Sequence, residues 1–562
     1  MLTPNEVMQL IGSLIWLLAG VGVFIVGMNF MSEALEKSAS SGMKKLLEKI
    51  SNNRFSGVGI GASVTAIIQS SSATSVMVIG LVNAGVMTLM QATPIIMGAN
   101  IGTTITGVLV ALKNDYFNMV MYLLAFAGVM MGFVKNERVQ IAGKLCCGLG
   151  LIFVGLEVMS SEQAFGNPLV EKLFTNIFQV IDFPLLLILV GVVFTALIQS
   201  SSAATGVVIT MVGTGVLPLD LALFIILGAN IGTCVTASLA SVGANANSKR
   251  VAFIHFTFNL IGTALFAALI WILREPVVNL LYSAIPGQDQ MALQMRVSLF
   301  HVIFNVTTTL LLLPFAKQLV DLSRLVIKDK APTEQAYTLK YVDDRLLSTP
   351  PIALMQVKKE IDYMLDLVQE NLTLCFLSVE TGSQKNDAQI RTNEKIINFT
   401  NNTLTEFLIK LSSTRIEQSD EKIIGTYFHV LNDLERIGDH AENFHEIGLE
   451  VASKGLAFSD LADKEIASMR AKVMEMFAVS KDAFDKANKK KLHALTSLED
   501  QVDTMKKDLT AVHFARLVEG NCNPSVSPYY SSIILGLERV ADHLVNIGYS
   551  IVSPTGSQKR SK

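Results

Sequence analysis

Residues 69–75 read Gln-Ser-Ser-Ser-Ala-Thr-Ser and lie inside an uncharged run that extends from Phe55 to Leu112. A run of that length is enough for about two membrane crossings at roughly 20 residues each. One amide and five hydroxyls in such a run are costly to bury unless something polar uses them. The cluster therefore predicts a polar site within a membrane-spanning region.

The cluster is part of an internal repeat. A second copy, Gln-Ser-Ser-Ser-Ala-Ala-Thr, occupies residues 199–205, 130 positions after the first. Each copy is followed by the motif Gly-Ala-Asn-Ile-Gly-Thr, at residues 98–103 and 228–233. The glycine-rich spans that precede the clusters, Gly20–Gly27 and Gly148–Gly155, also match each other, at an offset of 128. We place the two repeats at about residues 10–135 and 139–245.

The loops after the matched spans differ in charge. Five basic residues occur between Glu33 and Arg54, counting Arg54 itself, whereas Lys172 is the single basic residue between Ser161 and Ile181. Because cytoplasmic loops collect Lys and Arg, the first loop is expected to be cytoplasmic and the second external. Opposite polarity of homologous loops predicts two inverted repeats, which in secondary transporters meet at a mid-membrane substrate site.

Composition divides the chain into two unlike halves. It has 562 residues, of which 51% are hydrophobic and 17% charged, against roughly 25% charged in a soluble domain. The net charge of −3 averages these halves and therefore says little about partners. We expect no nucleic-acid partner. We expect a transmembrane domain over residues 1–325, with further helices over 250–316, a linker over 326–349, a soluble helical domain over 350–553 and a disordered tail over 554–562. Membrane spans are expected near 117–134, 139–160, 183–213, 220–242, 250–273 and 297–316.

The soluble half contains its own repeat. Leu-Glu-Arg-Ile-Gly-Asp-His at residues 434–440 matches Leu-Glu-Arg-Val-Ala-Asp-His at residues 537–543. Helical periodicity with charged faces predicts a helical bundle. The runs that show it cover 357–377, 395–411, 423–450, 463–487 and 526–552.

The uncharged clusters limit the chemistry. They carry no ionisable group for acid–base work, and no base is paired with a serine, so an enzyme is not predicted. Hydroxyls and amides can bind an oxyanion or coordinate sodium, and a helix break would add backbone N–H groups and a positive dipole end. The glycines and asparagine of the following motif are expected to form a tight non-helical stretch. The alternative is that the Ser and Thr side chains only bond to the preceding turn or join helices.

The paired clusters, each followed by Gly-Ala-Asn-Ile-Gly-Thr, resemble the sodium-dependent phosphate cotransporter family (type II) over roughly residues 10–316. The resemblance implies that the two clusters line a phosphate and sodium site between inverted repeats. The implied first-choice residues are Gln69, Ser70, Ser71, Ser72, Gln199, Ser200, Ser201 and Ser202. The second-choice residues are Thr74, Ser75, Asn100, Thr103, Thr104, Thr205, Asn230 and Thr233.

The soluble half resembles the PhoU-like family of phosphate regulators, which implies a bundle of two three-helix units with carboxylate motifs that bind a divalent metal. The implied ligands are Glu435, Asp439, His440, Glu538, Asp542 and His543. Carboxylates with imidazole suit Mg, Mn, Fe or Zn. A solvated ladder of ion pairs with Arg436 and Arg539 is the alternative for the same residues.

The sequence and these resemblances together predict an all-α polytopic membrane protein that is a sodium:phosphate symporter working by alternating access. We expect it in a bacterial inner membrane, in contact with the lipid bilayer, with a cytoplasmic PhoU-like domain that regulates it and contacts phosphate-signalling proteins. Two alternatives stay open. One is a sodium-coupled symporter for another small anion, and the other is a membrane-tethered phosphate sensor.

Overall fold

The computed structural model describes residues 3–48, 53–180, 183–329, 337–414, 416, 418–486 and 488–552. The chain forms two compact units, residues 1–331 and 332–562. Within the described ranges all regular secondary structure is helical. The tail over 554–562, and residues 330–336 of the expected linker, lie outside the described residues.

The first unit contains helices of full and of half length. In chain order they are α1 (Pro4–Glu48), α2 (Arg54–Ile68), α3 (Ser71–Asn83), α4 (Leu89–Ala111), α5 (Asp115–Gly132), α6 (Glu137–Ser160), α7 (Pro168–Val180), α8 (Pro184–Ile198), α9 (Ser201–Gly213), α10 (Leu219–Gly232), α11 (Cys234–Ala240), α12 (Ala246–Ile272), α13 (Arg274–Ala284), α14 (Gln290–Leu312) and α15 (Ala316–Val326). A 3-10 turn, Leu313–Phe315, joins the last two.

Six described helical segments are long and apolar enough to cross a membrane. They are Pro4–Ser38, Leu89–Ala111, Glu137–Ser160, Leu219–Ala240, Ala246–Ile272 and Gln290–Val326. The span expected over 183–213 is divided at the cluster into two half-length helices, α8 and α9. The loop expected to begin at Glu33 is wrong, since α1 continues to Glu48 through a sequence rich in Ala, Leu, Lys and Glu, which favour helix.

Helices α1 and α6, which belong to different repeats, pack against each other in opposite directions. Gly20 lies against Gly155, and Gly27 lies against Gly148. A Cβ on Gly27 would stand 2.6 Å from the Ile152 nitrogen, so the two backbones touch along this line. Because Gly20 corresponds to Gly148 and Gly27 to Gly155 in the repeat, the contact is made by equivalent glycines of the two repeats.

Each repeat contains a helical hairpin. The first helix of the hairpin packs against the helix that follows the hairpin in the chain. In the first repeat a Cβ on Gly98 would stand 2.8 Å from the Val58 carbonyl carbon, so α2 and α4 touch backbone to backbone. In the second repeat Gly228 meets Ile188 in the same way, also at 2.8 Å. The two hairpins, α2–α3 and α8–α9, are therefore held by equivalent close contacts.

The motif Gly-Ala-Asn-Ile-Gly-Thr is helical in its first copy, which corrects the expectation of a tight non-helical stretch. Residues 98–103 lie within the continuous helix α4. In the second copy α10 ends at Gly232, and α11 begins two residues later at Cys234. The motif needs its glycines for the close approach of the hairpin rather than for an unusual backbone angle.

The second unit consists of long helices in two sets of three. They are α16 (Pro350–Thr381), α17 (Asp387–Ser412), α18 (Gln418–Ser453), α19 (Asp460–Lys486), α20 (Lys490–Val518) and α21 (Ser527–Tyr549). Short 3-10 turns cover Asp344–Ser348 and Gln384–Asn386. Periodicity did not reveal α20, because over 29 residues only Leu492, Leu495, Leu498, Val502 and His513 are buried.

The C-terminal part of the expected linker is packed on the second unit. The buried carboxylate of Glu360 on α16 accepts hydrogen bonds from the backbone nitrogens of Lys340, at 3.0 Å, and Tyr341, at 2.5 Å. Val342 and Leu346 are buried. Residues 337–349 are therefore an ordered segment of the second unit that packs against α16.

Candidate functional site

Each Gln-Ser-Ser-Ser cluster breaks a helix at its first two residues. Gln69 ends α2 with φ 58° and ψ 23°, and Ser70 begins α3 with φ −142° and ψ 106°. Gln199 and Ser200 repeat these angles at 57° and 22°, and at −143° and 107°. Among the described residues other than glycine, Gln69 and Gln199 are the two with positive φ. Such strained positions concentrate at functional sites, so the breaks are the first candidates for one.

The breaks leave backbone donors available. Ser70 Oγ accepts a hydrogen bond from the Ala73 nitrogen at 3.1 Å, and Ser200 Oγ accepts one from the Ala203 nitrogen at 3.2 Å. The backbone N–H groups of the two residues after each cap, Ser71 and Ser72 in the first break and Ser201 and Ser202 in the second, have no acceptor within the described chain. Free N–H groups at a helix N-terminus, where the dipole is positive, attract anions.

The two breaks meet through threonines that follow the second motif. Thr106 on α4 donates to Gln69 Oε1 in its own repeat at 2.7 Å, and receives a hydrogen bond from Ser202 of the other repeat at 3.4 Å. Thr236 on α11 donates to Ser72 of the first repeat at 3.1 Å. Because Thr106 corresponds to Thr236 and Ser72 to Ser202, the crossed contacts share the symmetry of the repeat. The two clusters therefore lie beside each other.

Sequence reasoning missed Thr106 and Thr236. Both lie three residues after a threonine of the motif, Thr103 or Thr233, and they keep the offset of 130. A hydroxyl that recurs in both repeats of an apolar helix was the available signal.

Several of the second-choice residues are satisfied within their own helices. Thr103 and Thr233 each donate to the carbonyl four residues earlier at 3.1 Å, and Thr104 donates to Ile101. Asn230 donates to the Ile226 carbonyl at 2.9 Å. The hydrogen-bond donors of these side chains are therefore used within the helices next to the breaks and are not free to bind a ligand at the breaks.

Asn100 differs from its counterpart Asn230 because it reaches another helix. Its amide donates to Asn259 on α12 at 2.9 Å, and Asn259 in turn lies 3.2 Å from Cys234 Sγ. This chain ties the motif of the first repeat to α11 and α12, so it fixes the framework around the breaks.

The remaining second-choice residues sit one turn into the helices that follow the breaks. Thr74 is fully buried and donates to the Ser70 carbonyl at 3.0 Å. Ser75 and Thr205 occupy equivalent positions, and both are buried with hydroxyls that have no partner among the described residues. These hydroxyls and the free N–H groups of the breaks are neutral donors and acceptors, a set that suits an oxyanion together with an alkali cation.

In the second unit an acidic cluster forms around the repeated Glu-x-x-x-Asp motif. Asp503 on α20 joins Glu538 and Asp542, and their carboxylate oxygens lie within 4.8 Å of one another. Lys506 forms a 2.8 Å ion pair with Glu538, whereas Arg539 stands 3.9 Å from it. Sequence reasoning missed Asp503, because it lies on α20, the helix that periodicity did not reveal. Converging carboxylates fit a hard divalent cation.

The histidines of these motifs are arranged differently from the expectation. His543 Nδ1 lies 2.8 Å from Asp433 Oδ1, and its ring is 6.1 Å from that of His440. Burial, followed by the nearby His543, lowers the pKa of His440. The carboxylates form the convergent group, and the histidines lie beside it.

The first three-helix set gathers acids around a residue not predicted from the sequence. Glu394 on α17 is buried and faces Glu442, Asp439 and Glu435. Burial and these neighbouring carboxylates raise the pKa of Glu394 to about 7. Burial and Asp439 also raise the pKa of Glu435.

We expect Glu394→Gln to remove a pH dependence of stability. A folded-state pKa above the unfolded value means that the folded protein binds the extra proton, so stability is lost as pH rises from about 4.5 to about 7. The part of this loss that Glu394 causes is on the order of 2–3 kcal/mol in wild type and is absent in the variant, whose remaining pH dependence comes from other groups such as Glu435. Hydrogen-exchange protection of α17 at pH 5.5 and pH 8, without divalent metal, measures it. Glu406→Gln, an exposed change on the same helix, should behave like wild type, and equal pH dependence in all three proteins would contradict the account.

Two protein-family models match this chain, one in each of its two units. A family model described as Na+/Pi-cotransporter matches residues 23–161 and 163–282, and one described as PhoU domain matches 361–447 and 466–551. The chain is 33% identical over 310 residues to the uncharacterized protein YqeW of Bacillus subtilis, covering 55% of this chain and 96% of the relative.

Two further relatives carry functional names. The "Putative inorganic phosphate export protein YjbB" of Escherichia coli is 23% identical over 554 residues, which cover 96% of this chain and 97% of the relative. The sodium-dependent phosphate transport protein 2B of Pongo abelii is 24% identical over 408 residues, which cover 46% of this chain and 59% of the relative.

Proposed function

The chain belongs to the Na+/Pi-cotransporter family and carries a PhoU domain, and from that premise we propose that it is a sodium:phosphate symporter. The observation that carries the proposal is the crossed contact of the two breaks, Thr106 with Ser202 and Thr236 with Ser72. Each break carries backbone N–H groups without an acceptor in the described chain, and the crossed contacts support one site shared by both. Two helix N-termini and a ring of hydroxyls there would hold one phosphate oxyanion between the repeats.

Sodium enters the proposal through the neutral oxygens of the same site. Hydroxyl and carbonyl oxygens at a broken helix suit a monovalent cation, and a bound cation offsets the charge of the phosphate in a region without charged side chains. Sodium would bind first and order the breaks, and phosphate would follow. Neither ion then crosses the membrane domain as an isolated charge.

Alternating access would follow from inversion of the repeats. The antiparallel contact of α1 with α6, in which Gly20 meets Gly155 and Gly27 meets Gly148, supports a two-fold relation between them. We propose that one repeat-related bundle moves against the other around the site, in a bacterial inner membrane and with the PhoU domain in the cytoplasm. Phosphate-signalling proteins would be the partners of that domain.

The direction of net transport has two candidates. The name of the Pongo abelii relative describes sodium-dependent transport of phosphate, which an inward sodium gradient would drive as uptake, whereas the name of YjbB describes export. Radiolabelled phosphate flux in proteoliposomes tests coupling, because an inward sodium gradient should drive uptake and choline should not. Reversing the gradient should reverse the flux. Phosphate efflux that ignores the sodium gradient would favour uncoupled export.

We further propose that the PhoU domain binds a divalent cation at Asp503, Glu538 and Asp542, and that this regulates transport. Asp503→Asn removes a charged ligand, so we expect manganese affinity to fall about tenfold or more. Manganese titration followed by electron paramagnetic resonance measures it in the full-length protein. Asp508→Asn, an exposed change on the same helix, is the control. Unchanged affinity in both variants would favour the alternative of ion pairs without a metal, which in this motif are those of Glu538 with Lys506 and Arg539.

A further inference from the structure

The two breaks share one backbone geometry but differ in their side-chain hydrogen bonds. In the first, Thr65 Oγ1 donates to Thr74 Oγ1 at 3.0 Å, and Thr74 Oγ1 donates to the Ser70 carbonyl oxygen at the same distance. Thr74 therefore links the last turn of α2 to the start of α3. Its hydroxyl fills the space between Thr65 and the Ser70 carbonyl.

The second break lacks this link. Ala204 stands at the position of Thr74, and Thr195 stands at the position of Thr65. Thr195 is 0% exposed, and its hydroxyl has no partner within the described chain. The backbone angles of the two breaks agree to about 1°. The second break should therefore contain a space equivalent to the one that the Thr74 hydroxyl fills in the first break. Thr195 Oγ1 and the Ser200 carbonyl oxygen would bound that space.

The carbonyl groups that end the preceding helix differ in the same way. In the first break the Ala66 carbonyl accepts from Gln69 Nε2 at 2.6 Å, and the Ile68 carbonyl accepts from Ser32 Oγ.

In the second break no described side chain donates to the equivalent carbonyls of Ala196 and Ile198. Ser160, the counterpart of Ser32, donates instead to Leu156. The last carbonyls of α8 thus accept no hydrogen bond from a described side chain, whereas the equivalent carbonyls of α2 do.

We propose that the second break, and not the first, holds a sodium ion between Thr195 Oγ1 and the Ser200 carbonyl oxygen, a site that rests on the symport function proposed above and deepens it. Both ligands are neutral oxygens, which suit an alkali cation. Thr195 lies in the last turn of α8, where the helix dipole is negative. The Ser200 carbonyl accepts a hydrogen bond from the Ala204 nitrogen at 3.0 Å and keeps a second lone pair for the ion. In the first break the hydroxyl of Thr74 occupies the same place, so the symmetric repeat carries one asymmetric cation site.

The test is to give the second break the side chain of the first. In Ala204→Thr the new hydroxyl should bridge Thr195 and Ser200 as Thr74 does, and the sodium concentration for half-maximal phosphate flux should rise about tenfold or more. Thr195→Val, which keeps the shape and removes the oxygen, should do the same even if Ala204→Thr fails to fold. Thr65→Val, the matched change in the first break, should stay within about twofold of wild type.

Sodium-22 binding to the detergent-purified full-length protein, measured without phosphate, separates this inference from the proposed function. Wild-type binding that both Thr195→Val and Ala204→Thr weaken would support the site, even if no phosphate flux is found. Unchanged sodium binding and unchanged sodium activation in both variants would overturn it, and the space would then hold an ordered water. Sodium-driven phosphate flux would in that case still support the symporter.

Discussion

Replacing Ser71 and Ser201 together by alanine should lower sodium-driven phosphate flux by about 100-fold or more. The two residues occupy equivalent positions just after the breaks, and both side chains are nearly buried. A hydrogen bond to a charged group contributes about 1.5–3 kcal/mol, so each lost hydroxyl should cost about tenfold or more in apparent affinity. Flux at a phosphate concentration below half-saturation, in proteoliposomes with an inward sodium gradient, measures the effect.

The matched control is Ser63→Ala, an exposed serine on α2 that lies outside the cluster. Its flux should equal that of wild type. The single variants Ser71→Ala and Ser201→Ala should both be impaired, because each break contributes to the same site. A double variant with wild-type flux would show that phosphate does not contact these hydroxyls.

Gly61→Ala should prevent the first hairpin from packing and should destabilise the membrane unit by about 3 kcal/mol or more. A Cβ on Gly61 would overlap the Ile95 carbonyl oxygen and stand 2.8 Å from its carbon. The obstruction is backbone on both sides, so no rotamer change can relieve it. The yield of monodisperse protein after detergent extraction, and its melting temperature, measure the loss.

Gly59→Ala is the control, because a Cβ there meets nothing within 4 Å. Alanine favours helix over glycine by roughly 1 kcal/mol, so this variant should be as stable as wild type or slightly more stable. If Gly61→Ala extracts and melts like Gly59→Ala, the close contact of α2 with α4 is wrong, and with it the position of the first break.

The repeat and the positions of the breaks could be predicted because short stretches of sequence determine both. Five hydroxyls and an amide in an apolar run, repeated with their companion motif, indicate a helix interruption on polarity alone. The Leu-Glu-Arg motif of the soluble half indicates its duplication in the same way. A periodic apolar face predicted most of the long helices of the second unit.

What could not be predicted depends on which helices come together. Thr106 and Thr236 are unremarkable threonines until α4 and α11 bring them against the opposite cluster. The motif around Asn100 looks like a turn signal, yet it is helical because its glycines serve the approach of α2. Asp503 becomes a candidate metal ligand only through the packing of α20 on α21. Tertiary contact decided each of these cases, and local pattern did not.

The central claim is that two breaks from two repeats build one phosphate site. Equilibrium binding of radiolabelled phosphate to the purified full-length protein, in sodium chloride and in choline chloride, tests it most directly. The account predicts one phosphate per chain, bound in sodium only, with an affinity that falls about tenfold or more when either Ser71 or Ser201 is replaced by alanine. Binding of two phosphates per chain would contradict it. So would an unchanged phosphate affinity when either Ser71 or Ser201 is replaced by alanine.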